Sequence, residues 1–93
     1  MTIVEQLFYL IDEYKADRYT TKDFCNCFLD IYNHELYSNT IDKRTNNYFK
    51  SICLLASRYS WYDEDINNFN DYFIDEMTFR KKLDELVNAY ITE

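Results

Sequence analysis

Apolar residues along the chain recur at intervals of three and four, which is the period of an α-helix with one buried face. In the first segment this apolar set comprises Ile3, Val4, Leu7, Leu10, Ile11 and Tyr14. Thr2 and Glu5 have the spacing of a capping box, in which each side chain accepts a hydrogen bond from the other residue's backbone N–H. The pattern therefore predicts a first helix from about Ile3 to Ala16.

A second amphipathic segment follows after a short polar stretch. Its inward stripe is predicted to consist of Phe24, Cys27, Phe28, Ile31 and Tyr32. Thr20 lies three residues before Asp23, so the two residues can cap each other at the start of the helix. Tyr19 and Phe24 occupy the positions of a hydrophobic staple. We expect this second helix to continue to about Tyr37.

Two further segments carry the same helical period. In "IDKRTNNYFKSICLLASRY" one face holds Phe49, Ile52, Cys53, Ala56 and Tyr59, and in "DEMTFRKKLDELVNAYI" one face holds Phe79, Leu83, Leu86, Val87 and Tyr90. Asp75 is a favourable N-cap for the last helix, and Glu76 suits the positive end of its dipole. Ile74 can form a hydrophobic staple with Phe79. Both segments are therefore predicted to be helices.

Four such helices, with short connections and one longer link before the last helix, predict an all-α fold. We expect an antiparallel four-helix bundle that forms a single helical domain over residues 1–93. Only the piece "NNFNDYF" departs from the helical period, and an extended conformation is left open for it.

The composition excludes several sequence motifs of enzymes and nucleotide-binding proteins. The chain contains no Gly and no Pro. It therefore cannot carry a P-loop, a dinucleotide-binding fingerprint or a GxSxG elbow, because each of these motifs needs Gly for a steric reason. No signal-peptide pattern opens the chain, and no apolar run approaches the ~20 residues that span a bilayer. We therefore expect a soluble, cytoplasmic protein that does not bind membranes.

The negative charge is concentrated in one place. The net charge is −7, from 17 acidic and 10 basic residues. The segment "SWYDEDINNFNDYFIDE", Ser60 to Glu76, contains six of the acids and none of the bases, which leaves the rest of the chain nearly neutral. An acidic patch of this kind repels nucleic acid phosphates and attracts a basic partner.

Candidate catalytic and metal-binding residues are few. The single histidine, His34, has only Asp30 one turn before it as an orienting group, and such a pair is common on helix surfaces. Cys25 and Cys27 would point about 200° apart on a helix, and no CxxC pair supports a zinc site. Cys27 and Cys53 lie in apolar stripes and are expected to be small buried hydrophobic residues. We predict no catalytic residue, no metal site and no cofactor.

The acidic run itself does not match a known carboxylate site. Counted from Asp63, the sixth position is Asn68 and the twelfth is Ile74, where a calcium-binding EF-hand loop needs Gly and Glu. Glycosidase-type catalysis by Asp63 and Asp65 would need two different environments in a concave site, which an exposed run does not offer.

Five aromatic rings accompany these acids and are too many for a plain solvated loop: Trp61, Tyr62, Phe69, Tyr72 and Phe73. We expect some of the rings to pack on the helices and others to remain outside. Exposed Tyr and Trp side chains are frequent anchors of protein interfaces, and neighbouring acids steer a basic partner towards them. The segment is therefore predicted to be an interaction surface.

The order of motifs resembles the colicin D immunity protein family, which includes immunity proteins of contact-dependent inhibition systems. The resemblance is carried by "TTKDF" at the start of the second helix, "ASRYSWYDED" after the third, and "DYFIDEMTFRKKLDEL" before the last. Members of the family are small acidic helical proteins that neutralise a bacterial tRNA-cleaving toxin domain.

The resemblance implies a 1:1 complex with a basic nuclease toxin domain, in which carboxylates occupy the positions of RNA phosphates. Asp63, Glu64 and Asp65 match the family's acidic turn and would be the phosphate mimics. The whole implied partner-binding set is Trp61, Tyr62, Asp63, Glu64, Asp65, Asp71, Tyr72, Asp75 and Glu76. An alternative is a phage-type nucleic-acid mimic that inhibits a host DNA- or RNA-binding enzyme, and a weaker one is an enzyme or metal protein.

Overall fold

A computed structural model of the chain describes residues 2–35 and 42–92. These residues form five helices and no strand: α1 (Ile3–Lys15), α2 (Thr21–Glu35), α3 (Lys43–Arg58), α4 (Asp63–Asn68) and α5 (Glu76–Thr92). The all-α prediction is therefore confirmed. The side chain of His34 and the predicted end of the second helix at about Tyr37 lie outside what is described.

The link before the last helix contains α4, a helix that the apolar pattern did not predict. None of its residues is buried, so it has no apolar stripe to reveal it. Its first turn consists of Asp63, Glu64 and Asp65, and carboxylates are favourable at the positive N-terminus of a helix. The piece "NNFNDYF", for which an extended conformation was left open, contains the end of α4 and a turn at residues 70–72.

The helix starts follow the capping signals in the sequence. In the capping box of α1, the Glu5 N–H donates to Thr2 Oγ1 at 3.1 Å and the Thr2 N–H donates to Glu5 Oε1 at 3.1 Å. At the start of α2, the Asp23 N–H donates to Thr20 Oγ1 at 3.1 Å, whereas the described residues do not show the predicted return bond from the Thr20 N–H to the Asp23 carboxylate. The side chain of Asp75 caps α5, as predicted. These bonds satisfy backbone N–H groups that have no partner within their own helix.

The core contains a cluster of aromatic rings contributed by different helices, packed among aliphatic side chains. Tyr14 of α1 stacks on Phe24 of α2 with ring centroids 4.6 Å apart, and Phe79 of α5 meets both rings edge-on at 5.9 and 6.1 Å. Phe28 and Phe49 continue the cluster towards α3 at 5.9 Å. Stacked and edge-on ring pairs add to the free energy gained from apolar burial, and they define how the helices pack.

The second helix buries a different cysteine from the one predicted. Cys27 is exposed, whereas Cys25 is buried. The buried positions of α2 include Thr21, Phe24 and Phe28, which lie at intervals of three and four. Cys25 continues this face one turn after Thr21, while Cys27 is rotated away from it. The prediction for Cys27 was therefore wrong, and that for Cys53, which is buried, is confirmed.

Helices α3 and α5 lie side by side in opposite directions. In the first turn of α3, Arg44 donates to the backbone carbonyl of Tyr90, and its guanidinium lies 4.0 Å from the centroid of the Tyr90 ring. At the other end, Tyr59 after α3 forms an isolated parallel β-bridge with Ile74 just before α5. Both ends of the segment Ser60–Glu76 therefore meet at one end of this helix pair. No helix in the described part of the chain is long and apolar enough to cross a membrane.

Candidate partner-binding loop

The segment Ser60–Glu76, called the acidic loop from here on, closes on itself at its base. The Ile74 N–H donates to the carbonyl of Arg58 at 2.9 Å, and the Ser60 N–H donates to the carbonyl of Ile74 at 3.2 Å. Arg58 also donates from Nε to the carbonyl of Tyr72 at 2.8 Å. A loop whose ends are joined in this way resembles an Ω-loop, and the hydrogen bonds at its base restrict the conformation of its backbone.

Ser60 fixes the start of α4. It is only 5% exposed, and its Oγ donates to Asp65 Oδ2 at 2.8 Å while accepting from the Tyr62 N–H at 3.1 Å. The N–H groups of Asp65 and Ile66 both donate to the Tyr62 carbonyl, at 3.1 and 3.3 Å. One buried hydroxyl therefore links the residue before α4 to a carboxylate within its first turn.

The acids of the loop divide into two groups by what they contact. Asp63, Glu64 and Asp71 are exposed, and within residues 2–35 and 42–92 no hydrogen bond or ion pair engages their carboxylates. Asp65, predicted together with Asp63 and Glu64 as a phosphate mimic, is half-buried and accepts the Ser60 hydroxyl. Three of the six loop carboxylates are therefore available to a partner without breaking an internal contact.

Asp75 and Glu76, which complete the predicted binding set, have structural contacts. Asp75 Oδ1 accepts the Thr78 N–H at 2.8 Å, and this hydrogen bond lowers the pKa of the Asp75 carboxyl. Glu76 Oε1 accepts the Thr21 hydroxyl at 2.5 Å and lies 3.9 Å from a guanidinium nitrogen of Arg80. Both carboxylates hold the start of α5, which is a role within the fold.

The aromatic rings of the loop are largely outside. Trp61, Tyr62, Phe69 and Tyr72 are 44%, 59%, 58% and 50% exposed, and Phe73 is half-buried. The Tyr72 and Phe69 rings meet Phe73 edge-on with centroids 5.0 and 6.3 Å away. The mixture of packed and exposed rings expected from the sequence is therefore present, with most of them exposed.

Trp61 is held in place by a residue that the sequence did not single out. The ammonium of Lys22, in the first turn of α2, lies 4.5 Å from the centroid of the Trp61 ring. The Trp61 ring also contacts the rings of Tyr59 and Tyr62, with centroids at 6.2 and 5.3 Å. Lys22 and Trp61 are far apart in the chain, so no local pattern could have paired them.

Phe69 and Ser60 were also missed as site residues. Phe69 is as exposed as the predicted rings, and its ring contacts Phe73, which also contacts Tyr72. Ser60 could not be found from sequence, since its importance comes from burial and from two hydrogen bonds. Arg58, quoted above only as part of a family motif, acts here through its bonds to the loop backbone.

The described residues contain no cluster that could hold a metal ion, and two of the three cysteines have buried thiols. Among the described residues, no three His, Cys, Asp or Glu side chains come together in a way that could hold a metal ion. Burial raises the pKa of the Cys25 and Cys53 thiols to about 12. These two cysteines therefore remain protonated and unreactive at neutral pH.

Comparison with known proteins adds no family assignment: no family model matches the chain, and neither a curated protein nor a solved structure is significantly similar to it. The resemblance to the colicin D immunity family therefore stays a prediction that depends on the motifs quoted above.

Proposed function

We propose that the chain is an immunity protein whose acidic loop binds the basic cleft of a nuclease toxin domain and keeps RNA out of it. The observation that carries this proposal is the combination of unengaged carboxylates and exposed rings on one closed loop. Asp63, Glu64 and Asp71 supply the charges, and Tyr62 and Phe69 are the most exposed of the rings.

The carboxylates match the chemistry of a site that binds phosphates. A nuclease cleft holds RNA through Lys and Arg side chains, and the same cations can bind carboxylates by charge-assisted hydrogen bonds. Asp63 and Glu64 lie at the N-terminus of α4 without internal partners. A partner cation would therefore form new bonds there and would not have to displace existing ones.

The closed base of the loop supports tight binding because little order has to be gained on association. The bonds from Arg58 to Tyr72 and from Ser60 to Asp65 already fix the backbone that presents the acids. A surface that is ordered before binding avoids part of the entropy cost of association. The Lys22 ammonium likewise holds the Trp61 ring in position.

The proposed function also includes a helical scaffold for the loop, a stoichiometry and a cellular location. The four long helices are proposed to form an antiparallel bundle that serves as a rigid base for the loop. The proposed complex is 1:1, and the chain acts in the cytoplasm, where an incoming nuclease meets its RNA substrate. The inhibitor needs no catalytic residue and no cofactor.

The proposal is tested with the product of the adjacent gene, expressed as a purified nuclease domain. We expect the chain to bind it stoichiometrically and to abolish RNA cleavage. The variant D63N/E64Q keeps the shape of both side chains and removes two charges, and we expect it to weaken binding by about tenfold or more at low salt, because close charge pairs across interfaces contribute ~1.5–7 kcal/mol. The deficit should shrink at high salt.

The matched control is D12N, which removes an exposed carboxylate from α1. It should bind as the unchanged chain does. If the chain does not bind the adjacent product or leaves its RNA cleavage intact, that partner is excluded. If D12N and D63N/E64Q weaken binding equally, the acidic loop is not the site. Competition with duplex DNA for a host enzyme would instead favour the nucleic-acid mimic described above.

A further inference from the structure

A groove between α3 and α5 forms a second surface, with chemistry opposite to that of the acidic loop. Two cavities of about 540 and 390 Å³ lie along this helix pair and share Ser51 and Leu86 in their walls, so they form one continuous groove. It is lined by α3 from Lys43 to Arg58, a distance of ~22 Å at the rise of an α-helix.

The middle of the groove is largely apolar and carries no charge, with Asn47 and Ser51 as its polar residues on α3. Leu54 is 61% exposed beside it, and Leu86, Ala89 and Tyr90 line the α5 side. An exposed leucine among partly buried apolar neighbours can lose more surface to water when a partner covers it. The walls are two helices, and a third helix laid between them is a common way to fill such a groove.

The rim of the groove is basic although the chain as a whole is acidic. Its charged lining consists of Lys43, Arg44, Arg58 and Lys82, against the single acid Glu85. Lys43 stands at one end, and Arg58 and Lys82 stand at the other. Within the described residues, no ion pair or hydrogen bond engages the ammonium groups of Lys43 and Lys82. The positive charges therefore lie at both ends of an apolar centre.

We propose that this groove binds an amphipathic helix of a partner protein that carries carboxylates near both ends and apolar side chains between them. The charge pattern favours acidic residues at the two ends, and the ~22 Å length corresponds to about 15 helical residues. The proposal does not depend on the function of the acidic loop.

Two other occupants fit the groove less well. A nucleic acid has a phosphate at every nucleotide and would place charges over Leu54, Leu86 and Ala89, whereas the α3 residues that line the groove include no Lys or Arg between Arg44 and Arg58. A second copy of the chain carries its excess negative charge on the acidic loop, whose helix α4 has six residues and spans ~9 Å, too short to fill the groove.

The test uses the full chain and a fluorescein-labelled peptide of about 15 residues, with Leu at every third or fourth position, Glu near both ends and Gln elsewhere. We expect saturable binding by fluorescence anisotropy. K43E/K82E should weaken peptide binding by about tenfold or more. L54S should also weaken peptide binding, and the variant should stay helical because Leu54 is already exposed in the folded chain. The same peptide with Lys in place of Glu should not bind.

The matched control is K50E, which makes the same charge change on an exposed residue of α3 outside the groove. K50E and the loop variant D63N/E64Q should both leave peptide binding within about twofold of the unchanged chain, because neither removes a groove contact. Circular dichroism checks that every variant remains folded.

Several results would overturn the proposal. These are no binding of the Glu peptide at millimolar protein, equal binding of the Lys peptide, or equal weakening by K50E and K43E/K82E. Binding of a labelled single-stranded RNA that is lost in K43E/K82E would assign the groove to nucleic acid. Dimers in sedimentation that disappear in L54S would assign it to a second copy.

Discussion

The contact between Glu76 and Thr21 gives the most direct test of whether Glu76 is structural. Thr21 is 1% exposed, and its hydroxyl lies 2.5 Å from Glu76 Oε1 and 2.7 Å from the Tyr14 hydroxyl. A carboxylate can only accept, so the Thr21 proton goes to Glu76 and the Tyr14 hydroxyl must donate to Thr21 Oγ1. The three groups form a directed chain of hydrogen bonds from α1 through α2 to α5.

The substitution T21V removes the middle of this chain at nearly constant shape. The buried Tyr14 hydroxyl is left without an acceptor, which costs about 1–3 kcal/mol. The Glu76 carboxylate loses one donor, but its side chain is 56% exposed and stays near Arg80, so this loss is worth about 1 kcal/mol or less. We expect T21V to lower the free energy of unfolding by about 2–3 kcal/mol, or roughly 10–20 °C in Tm.

Urea unfolding followed by circular dichroism measures this change, and a double-mutant cycle with Y14F identifies its cause. Y14F alone should lower the free energy of unfolding by about 1 kcal/mol. T21V/Y14F should cost less than the sum of the two single changes by about 1 kcal/mol, because it has no orphaned hydroxyl. T92V makes the same change at an exposed site of α5 and should stay within about 0.5 kcal/mol of the unchanged chain.

The reasoning is refuted if T21V costs as little as T92V, or if the two single changes add within about 0.3 kcal/mol in the cycle. A cost carried by Glu76 alone would instead appear as an E76Q effect as large as that of T21V. In that case the buried tyrosine hydroxyl would be unimportant, and Glu76 would be the main stabilising group.

Three other predictions follow from particular residues. S60A should lower the free energy of unfolding, measured in urea, by about 1–2 kcal/mol, because it removes hydrogen bonds to the Tyr62 N–H and the Asp65 carboxylate. S57A should change it little, since Ser57 is exposed. The exposed Cys27 should react with a thiol reagent in the folded chain, and the two buried cysteines only after unfolding; equal rates would contradict the packing of α2. Burial raises the pKa of Tyr48 from 10.0 to about 12, so the unfolded state loses this proton at lower pH than the folded state. The free energy of unfolding should therefore fall as the pH rises from about 10 to 12. Y48F should flatten the plot of the free energy of unfolding against pH over this range.

The long helices could be predicted because their signals are local. The apolar stripe of α1, the capping box at Thr2 and Glu5, and the N-cap at Asp75 each depend on residues within one or two turns. Such signals are recognised from residue types at fixed spacings, so predicting them requires no knowledge of how the rest of the chain folds. The same cannot be said of α4, which is short, has no buried face and depends on Ser60 for its position.

The candidate site could be predicted from the sequence only in part, because some of its contacts join residues that are not neighbours in the chain. The charge count located the acidic loop, but it could not distinguish an unengaged carboxylate from one with an internal contact. Asp63 belongs to the first kind, and Asp65 and Glu76 to the second. That distinction depends on partners elsewhere in the chain, and for Glu76 the partner is Thr21, which no spacing rule connects to it.

The sequence by itself determined the all-helical class, the starts of α1, α2 and α5 and the place of the excess negative charge, because each depends on residue type and local spacing. Only the tertiary structure decided which cysteine of α2 is buried, which loop acids face solvent unpaired, and that a basic groove lies between α3 and α5. These features arise where distant segments meet, and their free energies depend on burial and distance, which a linear pattern does not contain.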